Sequence, residues 1–124
     1  MCLLTKQRWP KIAWRPITTY KVVYSPDRLQ PFLTLFQCSP IRIGRTYKET
    51  LRNIFENRKK LSTNYEMSFG LHSHIEEYLS RGIANCYRYY GAMVVECVIP
   101  RFSLYWIGSD NDIVSNKLKY VKRL

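Results

Sequence analysis

The chain has 124 residues, of which 46% are hydrophobic, and it carries 20 Lys and Arg against 9 Asp and Glu, a net charge of +11. This length predicts one compact domain, since single cores organise on the order of 100–150 residues, and the apolar content excludes global disorder. No apolar run approaches the roughly 20 residues that cross a bilayer, and the N-terminus lacks a secretory pattern, so we expect a cytoplasmic protein without membrane contact.

The first half of the chain predicts an arm, short strands and one basic helix. Residues 1–16 contain two prolines and follow no sustained period, which predicts an irregular basic N-terminal arm. Residues 18–24 are rich in β-branched and aromatic side chains and end at a Ser-Pro-Asp turn, so they predict a strand. A short apolar segment at 32–36 is followed at 41–47 by the alternation of a strand, and residues 48–60 predict a basic helix.

The second half predicts a longer helix between strands. Ser73 and Glu76 have the spacing of a capping box, and apolar residues then recur every three or four positions, which predicts a helix from about 73 to 89. Residues 92–99, between Gly91 and Pro100, are the strongest predicted strand. Residues 102–107 and 115–121 predict two more strands around a turn at 108–112. The pattern predicts an α+β fold, with residues 17–124 forming a single domain of mostly antiparallel short strands and one or two helices.

The cysteines and histidines do not predict a metal site. Cys2, Cys38, Cys86 and Cys97 match no CxxC or zinc-ribbon spacing, and the two histidines, His72 and His74, are distant from them. We expect buried or inert thiols. The two histidines share one side of a strand, but a third ligand would have to come from the fold. Nucleophile-elbow, Walker, zincin and dinucleotide-binding motifs are absent from the sequence.

The positive charge is concentrated in the first half. Residues 1–62 hold 13 Lys and Arg against 3 Asp and Glu, whereas residues 63–124 hold 7 against 6. Basic residues interleaved with aromatic ones are able to bind a phosphate backbone and stack on bases. The alternative is that the two tryptophans pin the arm to the core and the charges form a solvated face. The candidate anion-binding residues are Lys6, Arg8, Lys11, Arg15, Arg42, Arg45, Arg52, Arg58, Lys59 and Lys60, with Trp9 and Trp14 as candidate stacking residues.

Several segments from Tyr20 to the C-terminus resemble a group of small proteins of gut bacteria and their phages that have no established activity. The resemblance covers about four-fifths of the chain, and it implies a coherent domain rather than an activity. Phe102 departs from the pattern, because a turn-forming glycine is expected at that position. The matching segments are 20–23, 43–47, 70–73, 98–108 and 112–118.

A second set of motifs resembles the ADP-ribosyltransferases. In that family a strand with Tyr-Arg or a His begins the NAD site, a Ser-Thr-Ser or Gly-x-Tyr element follows, and a catalytic Glu precedes a Val-Leu-Ile-Pro segment. Tyr20-Lys21, residues 70–73 and residues 96–100 stand in the same order here. The resemblance implies Glu96 as the catalytic carboxylate, His72 and Tyr20 as residues lining the cleft, and NAD as the cofactor. Lys21 departs from the family's Arg, which a lysine does not replace at a bidentate site.

Three hypotheses follow from these observations. The leading one is a non-enzymatic protein, without a cofactor, that binds an anionic partner such as nucleic acid through its basic N-terminal half. The second is an ADP-ribosyltransferase-like enzyme, or an inactive relative that binds NAD. The third is a structural component of a mobile element that forms a homodimer through its many tyrosines.

Overall fold

A computed structural model describes residues 3–25, 27, 30–34, 39–88 and 91–124 of the chain. Over these residues the protein has short strands, mostly antiparallel, and two helices, α1 Leu51–Glu56 and α2 Glu77–Cys86. The strands are β1 Leu3–Thr5, β2 Lys11–Ile12, β3 Ile17–Tyr24, β4 Phe32–Thr34, β5 Pro40–Ile41, β6 Thr46–Lys48, β7 Arg58–Lys60, β8 Tyr65–Met67, β9 Leu71–His74, β10 Ala92–Ile99, β11 Leu104–Ile107, β12 Asp112–Ser115 and β13 Lys117–Arg123.

Most strands belong to one ten-stranded sheet. Its order is β2-β11-β12-β9-β3-β10-β13-β6, with β4 paired to β3 and β5 paired to β4. Within this order, β12 and β13 lie at the two ends of the run β12-β9-β3-β10-β13. In the chain they are separated only by Asn116, so a single bent segment joins the two ends of this run. This run therefore curls into a small barrel, and alternate residues of each strand point to its inside. A second sheet has the order β1-β8-β7.

Two apolar clusters lie on the two faces of the barrel sheet. The inner cluster includes Val23, Val95 and Tyr120, all almost fully buried. The outer cluster contains Trp106 and Val114, which face each other on β11 and β12, together with residues of β1, α1 and β8. Because Val114 and its neighbour in the inner cluster, Ile113, point to opposite faces of β12, both sides of this strand are buried. The α+β prediction of a mostly antiparallel domain is confirmed, although the fold is richer in strands than in helices.

α2 connects β9 to β10, the two strands on either side of β3. Both are antiparallel to β3 and therefore parallel to each other, as in a crossover connection. The strand predicted at 92–99 is confirmed in full, but the helix predicted at 73–89 is shorter than expected. Ser73 and His74 pair with Ile113 and Asp112 of β12, so they belong to β9 and the predicted capping box does not form. Tyr89, where the prediction ends, lies outside the described residues.

The first half contains more strand and less helix than predicted. The arm that was predicted to be irregular contains β1 and β2. Backbone pairing with β8 and β11 orders these segments, although their sequences show no regular spacing of apolar residues. The helix predicted at 48–60 ends at Glu56, since residues 58–60 pair with β8 instead. Gly44, with φ of 89°, divides the strand predicted at 41–47. Neither α1 nor α2 is long and apolar enough to cross a membrane.

Candidate functional site

The N-terminal segment is anchored by its backbone and by Ala13 rather than by its tryptophans. Ile12 pairs with Leu104 of β11, and Ala13 is buried in the inner cluster. The Ala13 N–H donates to the Ser103 carbonyl at 2.9 Å. Trp9 and Trp14, on either side of this anchor, remain 61% and 66% exposed. Because they are not buried, the tryptophans are not the residues that pin the arm to the core.

Trp9, itself exposed, belongs to a surface cluster of aromatic and basic side chains whose other rings are half-buried. Its ring centroid lies 6.1 Å from that of Phe55, and Phe55 packs edge-on at 5.5 Å against the buried Trp106. The Arg58 guanidinium lies 5.1 Å from the Phe55 ring and also donates a hydrogen bond to the Arg8 carbonyl. These distances fit cation–π contacts, which orient the guanidinium groups over the rings. We call this cluster the Trp9 platform; it consists of Arg8, Trp9, Phe55, Arg58 and Tyr65.

Trp14 forms a second exposed aromatic pair. Its ring lies perpendicular to that of Phe102 with centroids 6.1 Å apart, and the Arg101 guanidinium lies 4.6 Å from the Phe102 ring. Phe102 is 59% exposed and has φ of 69°, the left-handed conformation that favours glycine. Its N–H donates to the Ala13 carbonyl at 2.6 Å, which ties the turn to the arm. We call Trp14, Arg101 and Phe102 the Trp14 platform.

The predicted anion-binding residues lie on the surface but in more than one place. Arg8 and Arg58 meet in the Trp9 platform. Arg42 and Arg45 flank the turn at Gly44, and the Arg45 carbonyl accepts from the Tyr120 N–H of β13 at 3.2 Å. Arg52 pairs with Glu56 one turn along α1 at 2.8 Å. The exposed members are Lys6, Arg8, Lys11, Arg15, Arg42, Arg45, Arg52, Lys59 and Lys60, whereas Arg58 is half-buried.

The predicted catalytic residues lie on the outer face of the barrel sheet. Tyr20 of β3 pairs directly with Glu96 of β10, and on its other side with His74 of β9. His74 in turn pairs with Asp112, and Glu96 pairs with Lys122. Directly paired residues point to the same face, so these side chains form one row across adjacent strands. Sequence reasoning missed Asp112 and Lys122, because register between distant strands has no local signal.

His72 shares this face but is occupied by backbone contacts. Its Nδ1 lies 3.1 Å from the Gly70 carbonyl oxygen and its Nε2 lies 3.2 Å from that of Met67. Burial, together with the nearby Lys21 charge, lowers the pKa of His72 to about 4. A neutral imidazole donates through one nitrogen only, so one of these carbonyls is approached without a hydrogen bond. His74, beside Tyr20, is the histidine closer in register to Glu96.

Lys21 is an inward-pointing lysine that sequence reasoning did not treat as a site residue. It pairs with Val95 on the inner face of the barrel, and its Nζ donates to the His72 carbonyl at 2.7 Å. Burial lowers the pKa of Lys21 to about 8. Thr19 and Ser73 each carry a buried hydroxyl without a hydrogen-bond partner. Burial therefore makes this amine easier to deprotonate than that of an exposed lysine.

A groove of about 320 Å³ lies between α2 and the ends of β10 and β13. Arg81, Asn85, Val94 and Arg123 are among the residues that line it. Tyr20, His72 and Glu96 do not line this groove. The predicted catalytic residues thus share a face of the sheet without enclosing this volume.

Among the described residues, no group of three or more His, Cys, Asp and Glu side chains is placed to hold a metal ion. Comparisons with protein-family models, with curated protein sequences and with solved structures find no match to this chain.

Proposed function

We propose that this protein binds single-stranded nucleic acid through the Trp9 and Trp14 platforms and the basic residues around them. The observation that carries the proposal is the exposure of both tryptophans, 61% and 66%, each beside a Phe ring. Exposed rings are available to stack on unpaired bases, and stacking contributes about 1–3 kcal/mol per base. A tryptophan that only anchored the arm would have its ring buried.

The charges next to the rings support the same partner. Arg8, Arg58 and Arg101 each place a guanidinium within 5.2 Å of a platform ring. A guanidinium beside a stacking ring is suited to a phosphate next to the stacked base. The five-residue step from Trp9 to Trp14 limits the separation of their Cα atoms to about 18 Å. Two platforms within this limit are close enough to contact one short strand of several nucleotides.

Fluorescence anisotropy of a 5′-labelled 16-residue oligouridine, titrated with protein at several salt concentrations, tests the proposal. We expect saturable binding that weakens with salt, because released counterions drive contacts to phosphates. Trp9→Ala and Trp14→Ala are each expected to reduce affinity by roughly 5- to 150-fold, the equivalent of one stacked base. Tyr78→Ala is the matched control, since Tyr78 is 65% exposed on α2 and belongs to neither platform. Salt-independent binding, no binding, or equal effects of all three substitutions contradict the proposal.

The direct pairing of Tyr20 with Glu96 favours a second candidate function, NAD-dependent ADP-ribosyl transfer. This chemistry needs a carboxylate that stabilises a positively charged sugar in the transition state, and the Glu96 carboxylate forms no ion pair with a described residue. Both nitrogens of His72 face backbone carbonyls, so in this candidate His74 and Tyr20 are the side chains that lie in one row with Glu96. Release of nicotinamide from NAD, compared between the wild type and Glu96→Gln, tests it. The candidate fails if neither protein releases nicotinamide.

A further inference from the structure

Two lysines from distant parts of the chain lie directly opposite each other at an edge of the barrel sheet. Lys48 of β6 is the register partner of Lys117 of β13, and the two strands are antiparallel. Lys119 lies two residues further along β13 and pairs with Val98, while Lys122 pairs with Glu96. All four lysines therefore point to the outer face of the sheet. We call them the lysine row: Lys48, Lys117, Lys119 and Lys122.

Among the described residues, Glu96 lies opposite Lys122 in the register, but no lysine of the row forms an ion pair. The ion pairs between described residues are Arg52 with Glu56 and Arg81 with Glu77, and neither includes a lysine of the row. Glu49, next to Lys48, instead accepts a hydrogen bond from the Asn53 side chain at 2.6 Å. Like charges directly opposite on adjacent strands are destabilising. An anion bound across Lys48 and Lys117 would remove this repulsion.

α1 connects the lysine row to the Trp9 platform. After Lys48, the Glu49 N–H donates to the Asn116 carbonyl at 2.9 Å, which fixes the start of the connection at the bend between β12 and β13. The six residues of α1 then cover about 9 Å along the helix axis and bring the chain to Phe55. Arg52 projects from this helix with its side chain 86% exposed. The row and the platform thus lie at the two ends of one short helix.

We propose that the lysine row is the second part of the nucleic-acid surface: phosphates of a strand whose bases stack on the Trp9 platform continue along α1 and contact Lys48, Lys117 and Lys119. This inference rests on the proposed function and extends it, because it makes the partner a polymer and assigns contacts to the nearly neutral second half of the chain. A tetranucleotide has only three internucleotide phosphates, which we expect Arg8 and Arg58 of the Trp9 platform to engage, so it leaves none for the row. A 16-residue strand, at the upper end of the site sizes of single-strand binding folds, reaches it.

The test compares the double variant Lys117→Gln/Lys119→Gln with Arg81→Gln/Arg123→Gln, which also removes two positive charges but at the groove beside α2. Anisotropy titrations use oligouridines of 4 and 16 residues over a series of salt concentrations. With the longer strand, we expect the lysine variant to reduce the slope of log K against log salt by about 1.4, or 0.7 for each phosphate that is no longer neutralised. With the 4-residue strand, we expect no change of slope. The arginine variant keeps the wild-type slope with both strands.

The outcomes separate this inference from the proposed function. If the wild type binds neither strand, the proposed function fails and the inference fails with it. If the wild type binds and Trp9→Ala weakens binding, but the lysine and arginine variants have equal slopes, only the inference is overturned. Thermal unfolding at low salt gives an independent readout. Relief of the repulsion between Lys48 and Lys117 is expected to raise the Tm of the lysine variant, and a lower Tm contradicts the unbalanced charge on which the inference depends.

Discussion

Phe102 packs edge-on against Trp14 while its own backbone is held at φ of 69°, a conformation in which a side chain is unfavourable. The resemblance described for residues 98–108 led us to expect a glycine at this position, and a left-handed φ is a conformation that glycine adopts readily. An exposed phenylalanine therefore occupies a position where it lowers stability but completes the Trp14 platform. This combination of local strain and exposure is the kind that occurs at functional sites.

Replacing Phe102 with glycine is expected to raise the stability of the protein but to weaken its binding of nucleic acid. Phe102→Gly relieves the left-handed strain, so the free energy of unfolding in urea rises by roughly 0.5–1 kcal/mol. The same variant lacks the ring beside Trp14, so its affinity for the 16-residue oligouridine falls toward that of Trp14→Ala. Phe102→Leu keeps a β-carbon at the same φ and serves as the control without a stability gain. A Phe102→Gly protein that is less stable than the wild type argues against strain at this turn.

Gly70 is expected to tolerate no side chain. It has φ of 105°, and an added Cβ would clash with the side chain of Val114 and lie 3.5 Å from Ile54, both in the outer cluster. Gly70→Ala therefore combines backbone strain with overpacking, and we expect the unfolding free energy to fall by at least about 2 kcal/mol.

Gly44 provides the comparison for Gly70, since its φ is 89° but no atom lies within 4 Å of an added Cβ. Gly44→Ala is expected to lower the unfolding free energy by roughly 1 kcal/mol, from backbone strain alone. Urea denaturation of the two variants measures the difference. Equal decreases mean that Val114 moves aside without cost.

Acidification is expected to destabilise the protein through His72. Burial lowers its pKa in the folded state from 6.5 to about 4, so the unfolded chain binds the proton more tightly. The stabilising contribution of the neutral ring is complete above pH 6.5 and is lost as the pH falls through this window toward 4, by on the order of 2–3 kcal/mol. Urea titrations at pH 7, 6, 5 and 4.5 measure the effect.

His72→Gln isolates this contribution, because other groups also titrate in the window. The pKa of His74 is lowered by burial, while the pKa of Asp112 is raised by burial and gives the opposite dependence. We expect a smaller decrease of stability between pH 7 and pH 4.5 in His72→Gln than in the wild type. If the two proteins are destabilised by the same amount, His72 is not the group responsible.

The two cysteines in the described residues are expected to differ in reactivity. Cys86 is exposed at the end of α2, whereas Cys97 is buried in the inner cluster, where burial raises the pKa of its thiol to about 12. Because the thiolate is the reactive form, iodoacetamide at pH 8 is expected to label Cys86 rapidly in the native protein and Cys97 only after denaturation. Peptide mass spectrometry measures both sites. Native labelling of Cys97 at the rate of Cys86 contradicts the buried position.

Local sequence patterns correctly predicted the strands that are marked by a run of apolar or β-branched residues. The apolar run at 92–99 forms β10 in full, and the strand predicted at 18–24 is β3 with one added residue, Ile17. The predictions fail where pairing with a distant segment decides the structure. Ser73 has the pattern of a helix cap, but it belongs to β9 because it pairs with Ile113 of β12. Residues 58–60 were predicted as helix, but they form a strand that pairs with β8. Long-range pairing overrides helix propensity here, since propensity contributes only tenths of a kcal/mol per residue.

The sequence by itself determined the charge of the first half, the interleaving of arginine with aromatic residues in the arm, and the strands around Glu96 and Tyr20. The tertiary structure decided that Trp9 and Trp14 are exposed, that Tyr20 lies directly opposite Glu96, and that Lys48 faces Lys117. The physical reason is that composition and periodicity describe neighbours along the chain. Register between distant strands depends on how the whole barrel buries both faces of its sheet, which no single segment specifies.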